Sequence, residues 1–215
     1  MKTMMQGDSL FIKADTLFSD QSNPDNKYVT AYNNVKLFKS NMQGIADSMS
    51  YNFTDSTIYM YQDPVIWSND SQITADSINI EIVNDKVRKM NLATKSFVIS
   101  QDSTKNFNQV SGKTMEVYFK DGFVSRTDVD RNAESIYYVV DKVGATSMNK
   151  LKCSSMSLIF ESNIVTEIRT YQEIDAQVIP NFEIKITDKR LRGFNWRLSE
   201  KPKLREIARH LRYDR

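Results

Sequence analysis

The 215-residue chain has one cysteine, one histidine, four prolines and six glycines. Each scarcity removes a class of protein. A single thiol, Cys153, allows no internal disulfide. The one histidine, His210, has no neighbouring triad partner or metal-ligand pattern in the sequence. So little glycine and proline excludes collagen-like and low-complexity chains. No apolar run approaches the ~20 residues of a membrane-spanning helix. Met1-Lys2-Thr3 resembles the opening of a signal peptide, but the apolar segment that should follow is missing from this chain. There is no GxSxG, P-loop, dinucleotide fingerprint or HExxH. An enzyme is therefore not expected, with no catalytic residue, cofactor or metal to assign.

Charge is also scarce overall, at +2, but it is unevenly placed. From Lys189 onward there are ten Lys/Arg against three Asp/Glu, or +7, so the first 188 residues carry 2 − 7 = −5. A mildly acidic body with a basic end does not suit a nucleic-acid binder, whose contact surface should be basic. The expected division is a body over residues 1–188 and a basic tail over 189–215. Leu204, Ile207, Ala208 and Leu211 recur at helical spacing in that tail, predicting a short helix.

What the chain does have is β-forming sequence. Ten Tyr and eleven Phe, with many Ile, Val and Thr, favour strands. Over residues 74–90, Ile78, Ile80 and Ile82 alternate with Asn79 and Glu81, and Asn84-Asp85 supplies turn chemistry before Val87. That spells strand, tight turn, strand, with one dry and one wet face. The phrase recurs. Aligned on Ala75 are Ala46 (with Met49, Tyr51, Phe53), Gly112 (with Met115, Val117, Phe119) and Cys153 (with Met156, Leu158, Phe160); a truncated copy lies at Ala14. The anchors are spaced by 32, 29, 37 and 41 residues. Units of this size cannot bury a face alone but can when stacked, so the chain is expected to be a β-hairpin repeat of about sixteen short strands. Asn33-Asn34 is expected to turn a hairpin, and Asp130-Arg131-Asn132 to separate two strands. Residues 144–149 read as a loop, and the alternation from Phe182 to Ile186 reads as a strand.

Three features are candidates for function. Asp15, Asp47 and Asp76 follow the small anchor residue, but Lys113 and Ser154 hold that place in the later copies. A corner where short polar side chains satisfy backbone groups fits better than a ring of metal ligands. Cys153 occupies the small-anchor slot of Ala46, Ala75 and Gly112, which points to an inert core thiol. The third is the dry face: Met49, Tyr51, Phe53, Ile78, Ile80, Ile82, Met115, Val117, Phe119, Met156, Leu158 and Phe160 should project one way and form a continuous apolar strip. A packed core is the plain outcome. A strip rich in Met and aromatics can also part to admit acyl chains. Burying each CH₂ contributes ~0.8 kcal/mol, so one long chain amounts to on the order of 10 kcal/mol. A ligand held that strongly is passed along another apolar groove rather than released to water. Open strand edges at the ends of such a stack would join subunits head to tail.

The repeated phrase at Ala46, Ala75, Gly112 and Cys153, with the closing Gly193-Phe194-Asn195-Trp196-Arg197-Leu198, resembles the OstA-like (LptA-like) lipopolysaccharide-transport family over residues 7–200. The resemblance implies an all-β, twisted jelly roll that holds lipid A acyl chains between its two sheets. It implies a non-enzymatic periplasmic carrier of lipopolysaccharide or another acylated lipid, forming part of a bridge to the outer membrane. Its partners would be further copies or the homologous jelly-roll domains of the transport machinery. The alternative is a structural or assembly module of the envelope that uses its open edges for protein contacts and binds no lipid.

Overall fold

The computed structural model describes residues 2–5, 8–23, 25, 27–140, 146–161 and 164–207. Among these described residues, fifteen antiparallel strands form one continuous hydrogen-bonded sheet. They are β1 (Lys2–Met5), β2 (Asp8–Lys13), β3 (Thr16–Asp20), β4 (Tyr28–Lys39), β5 (Met42–Asn52), β6 (Thr57–Tyr61), β7 (Val65–Ser68) and β8 (Ser71–Thr74), followed by β9 (Ser77–Val83), β10 (Lys86–Gln101), β11 (Phe107–Lys120), β12 (Phe123–Val140), β13 (Thr146–Glu161), β14 (Ile164–Tyr171) and β15 (Asp175–Pro180). The expected all-β jelly roll is therefore present, and the hairpin at Asn84-Asp85 joins β9 to β10. Both turn residues have positive φ, +50° and +60°, as a tight hairpin turn demands.

The sheet is creased into two leaves. Leaf 1 comprises β3, β6, β9, β14 and one half of each long strand: 28–32 of β4, 48–52 of β5, 86–93 of β10, 114–120 of β11, 123–130 of β12 and 155–161 of β13. Leaf 2 comprises β1, β2, β7, β8, β15 and the other halves of the same long strands. Along the crease run consecutive pairs of residues in the left-handed region: Asn33/Asn34, Gln62/Asp63, Thr94/Lys95, Arg131/Asn132 and Gln172/Glu173. Where a pair falls inside a long strand, the ladder shifts register, as between Tyr32 and Val35 or Ala93 and Ser96. Left-handed φ is costly for a β-branched residue such as Thr94 (φ +62°) and persists only where its surroundings hold it.

The surroundings are the small-anchor motifs. The backbone N–H of Asp15 donates to Asn33 O (3.0 Å), that of Asp47 to Gln62 O (3.4 Å), that of Asp76 to Thr94 O (3.0 Å) and that of Ser154 to Gln172 O (3.0 Å). Each partner is the first residue of a left-handed pair. Side chains then reach the second: Asn34 Nδ2 donates to Asp15 (2.7 Å), Lys95 pairs with Asp76 (3.2 Å) and Ser154 Oγ donates to Glu173 (3.1 Å). The small residue leaves room for the bend. A Cβ on Gly112 would lie 2.3 Å from Val129 Cγ1.

This crease corrects four expectations. Asn33-Asn34 bends one strand, β4, instead of turning a hairpin, and Arg131-Asn132 bends β12 instead of separating two strands. Residues 146–149 belong to β13, while 141–145 lie outside the described residues. The alternation from Phe182 to Ile186 forms 3-10 turns (Asn181–Glu183 and Ile186–Lys189), because the ladder of β15 on β13 ends at Pro180, which has no N–H to continue it. In the tail, a single helical turn, α1 (Leu204–Ile207), falls within the expected helix; Ala208, His210 and Leu211 lie outside the described residues.

Residues 189–207 cross the outer face of leaf 2 as a strap. Leu191, Phe194 and Trp196 pack with Phe97, Ile99, Phe107, Ile136 and Met148 in a second core. Two buried glutamines clasp its backbone. Gln109 Nε2 donates to Lys189 O (2.8 Å) while Leu191 N–H donates to Gln109 Oε1 (2.9 Å); Gln72 does the same for Asn195 O (2.7 Å) and Arg197 N–H (2.6 Å). The strap ends with Glu206 on Lys36 (3.3 Å) and its carbonyl on Lys13 (3.1 Å), so it reaches from β13 to β2.

Candidate functional site: the apolar trough between the leaves

The strand period puts every second side chain between the leaves. All twelve residues of the expected strip face inward from leaf 1 and belong to, or pack against, one core cluster. They form three rows at fixed distance from the crease. Nearest it are Met49, Ile78, Met115 and Met156; next come Tyr51, Ile80, Val117 and Leu158. The outer row, at the mouth, holds Phe53, Ile82, Phe119 and Phe160, three of them only partly buried. The Tyr51 and Phe53 rings meet at a tilt, their centroids 4.5 Å apart. Burial, together with the charges of Asp85 and Asp55, pushes the Tyr51 phenol up, so it stays neutral.

The strip is half of the lining. Leaf 2 supplies the facing wall with Leu10, Ile12, Leu37, Met42, Ile66, Ile73, Val110 and Leu151. The signal was present in sequence as apolar alternation just before each small anchor, for example Val35 and Leu37 before Ala46. The cluster then runs without a break from Leu10 on β2 to Val165 and Ile168 on β14.

Its two ends are uncapped among the described residues. At one end, β1 and β3 each pair on a single side, and Leu17, directly opposite inward-facing Ala31, is exposed. At the other, β14 and β15 are the edge strands, and Val178, opposite Asn149, is 70% exposed. Along the mouth, an opening of about 180 Å³ lies between the leaves. Met42 comes to it from leaf 2 and Val87, Met90 and Phe119 from leaf 1, with Lys39, Lys86, Asp85 and Asp121 on its rim.

The outward faces differ. On leaf 1 polar groups satisfy one another: Lys89 pairs with Glu116 (2.7 Å), Asn91 Nδ2 donates to Glu81 (3.0 Å), and Ser157 Oγ donates to Asp128 (2.8 Å). The hydrogen bonds from Lys89 and Tyr118 hold the Glu116 carboxyl below its usual range. On leaf 2 the outward face is apolar and lies beneath the strap. Cys153 sits at the crease opposite Ala133, its Sγ donating to Ser155 O (3.1 Å); burial pushes the thiol up, which suits packing and not nucleophilic attack.

Residues 3–86 match the family described as LptA/(LptD N-terminal domain) LPS transport protein. No curated protein matches the sequence. Among solved structures, the chain is similar to LptH from Pseudomonas aeruginosa, described as the LptA homologous periplasmic component of the conserved lipopolysaccharide transport device, at a TM-score of 0.46 and 11% identity, covering 80% of this chain and 95% of that one. The sequence match to the LptA/(LptD N-terminal domain) family runs from the first strands through the β9–β10 turn and into the start of β10.

Proposed function

We propose that this chain is a non-enzymatic carrier that holds the acyl chains of lipopolysaccharide between its leaves and passes them across the periplasm toward the outer membrane. The observation that carries this reading is the unbroken apolar trough, open at both ends among the described residues and slotted along its mouth. The twelve leaf-1 residues would touch the chains, with Phe53, Phe119 and Phe160 met first from the mouth. Free edges on β1 and β3 at one end and on β14 and β15 at the other would let further copies, or homologous jelly-roll domains, extend the sheet head to tail. A chain of such units keeps the lipid out of water at each hand-over, which the on-the-order-of-10 kcal/mol cost of exposing one acyl chain requires.

A second reading has its own support. Ile58, Ile78, Ile80 and Leu158 are fully buried among protein side chains, as in an ordinary core. On that reading the chain is an assembly module whose edges bind protein only. Native mass spectrometry of the protein purified from a Gram-negative host separates the two. The carrier reading expects a population with one bound acylated lipid, lost on treatment with mild detergent. Oligomers with no lipid adduct would favour the assembly module and overturn the carrier.

A further inference from the structure

A second cavity, of about 380 Å³, lies outside the trough. It is walled by the β7–β8 turn, the start of the β10–β11 connection and the strap, and both tryptophans of the chain, Trp67 and Trp196, line it. Trp67 is 1% exposed, and its indole N–H has no hydrogen-bond partner. Around the two rings stand Asn69, Asp70, Ser71, Gln101, Ser103 and Lys201.

We infer that this cavity is a saccharide subsite, taking a neutral or amino-sugar ring of the same glycolipid whose acyl chains enter the trough. The inference rests on the carrier reading for the identity of that glycolipid, but the chemistry is local. The half-buried indole of Trp196, with Trp67 buried behind it, offers an apolar surface to the C–H side of a sugar, and the amide, hydroxyl and carboxylate groups around it meet its hydroxyls. Leaf 1's outer face has the same residue types, but they pair with one another; here the side chains of Asn69, Asp70, Ser71, Gln101, Ser103 and Lys201 are not engaged in pairs among the described residues. Asp102, also in the wall, is committed to its own turn, its Oδ1 accepting from Thr104 N–H (2.8 Å) and Asn106 N–H (2.9 Å). Asp70 is then the open acceptor.

Charge and position narrow the ligand. Two carboxylates against the single Lys201 ammonium repel a phosphate and accept a neutral or amino sugar. The cavity is one turn from the trough: Ser68 lines the mouth opening, and Trp67 and Asn69 on either side of it line the cavity. A headgroup attached to chains held in the mouth would hang over the β7–β8 turn toward it.

Because the two tryptophans are the only ones, intrinsic emission reports on this cavity directly. The test titrates the full chain with a glucosamine disaccharide that carries neither acyl chain nor phosphate, and separately with inorganic phosphate. The subsite is supported by a saturable emission change with the disaccharide and none with phosphate, with affinity falling at least about tenfold in Asp70→Ala, whose exposed turn leaves the thermal transition unchanged. It is overturned by no saturable change, by an Asp70→Ala variant that binds as the parent does, or by phosphate displacing the sugar. Since the probe carries no lipid, the outcome is independent of the mass-spectrometric test: lipid retained without sugar binding overturns this subsite alone. Sugar bound without retained lipid supports the cavity and removes the carrier.

Discussion

Ile80→Ala is expected to lower the free energy of unfolding by about 3 to 4 kcal/mol, and Phe119→Ala by about half as much. Ile80 is wholly buried in the second row of the trough, between Ile58 of β6 and Met90 of β10. Removing three carbons there loses their transfer free energy and leaves a cavity that neighbours on two paired strands cannot collapse to fill. Phe119 packs only partly, at the mouth beside Met42 and Met90, so truncation exposes little new surface. Urea denaturation with a common m-value checks both. Equal losses at the two positions would mean that the mouth is sealed as tightly as the interior, contrary to the opening between the leaves.

Gln109→Leu is expected to have the second large effect, near 3 kcal/mol, by a different route. Gln109 is wholly buried and satisfies two strap backbone groups, Lys189 C=O and Leu191 N–H. Leucine keeps much of the volume but strands both groups, at roughly 1 to 3 kcal/mol for each one left buried and unpaired. The strap escapes that penalty by lifting off, which uncovers Phe97, Ile99, Ile136 and Met148. Trypsin should then cut faster at Arg190 and Arg192, both on the lifted segment, and the variant should bind an apolar dye. Unchanged cleavage with unchanged stability would show that the clasp does not hold the strap. Arg197 fastens the same segment to Asp63 (2.7 Å), so residual protection near Trp196 is expected even in this variant.

The local grammar of the sheet is legible in the sequence. Ile78, Ile80 and Ile82 against Asn79 and Glu81 could only be a half-buried strand, and Asn84-Asp85 could only turn it back. What escaped was tertiary. Asn33-Asn34 and Asn84-Asp85 use the same left-handed chemistry, yet one bends a strand and the other ends it. The difference is a hydrogen bond from Asp15, in the bend between β2 and β3, to Asn33 O, which no local pattern carries. The facing wall was missed for the same reason. The apolar residues before each small anchor were visible, but only the crease reveals that they belong to the same strands and look into the same trough. Gln72 and Gln109 left no signal, since each acts on a backbone 123 or 82 residues away. At the crease the N–H groups of Asp15, Asp47 and Asp76, and the carboxylates of Asp15 and Asp76, hold the left-handed pairs, as the corner reading expects.

The central claim is that the leaves part to admit acyl chains along the strip. Photo-crosslinking groups placed one at a time at Ile80 and Phe119 in living Gram-negative cells test it most directly. Capture of lipopolysaccharide at both positions, stronger at Phe119 by the mouth, is the expected result. Probes that report expression and folding yet never capture lipid at either position would contradict it.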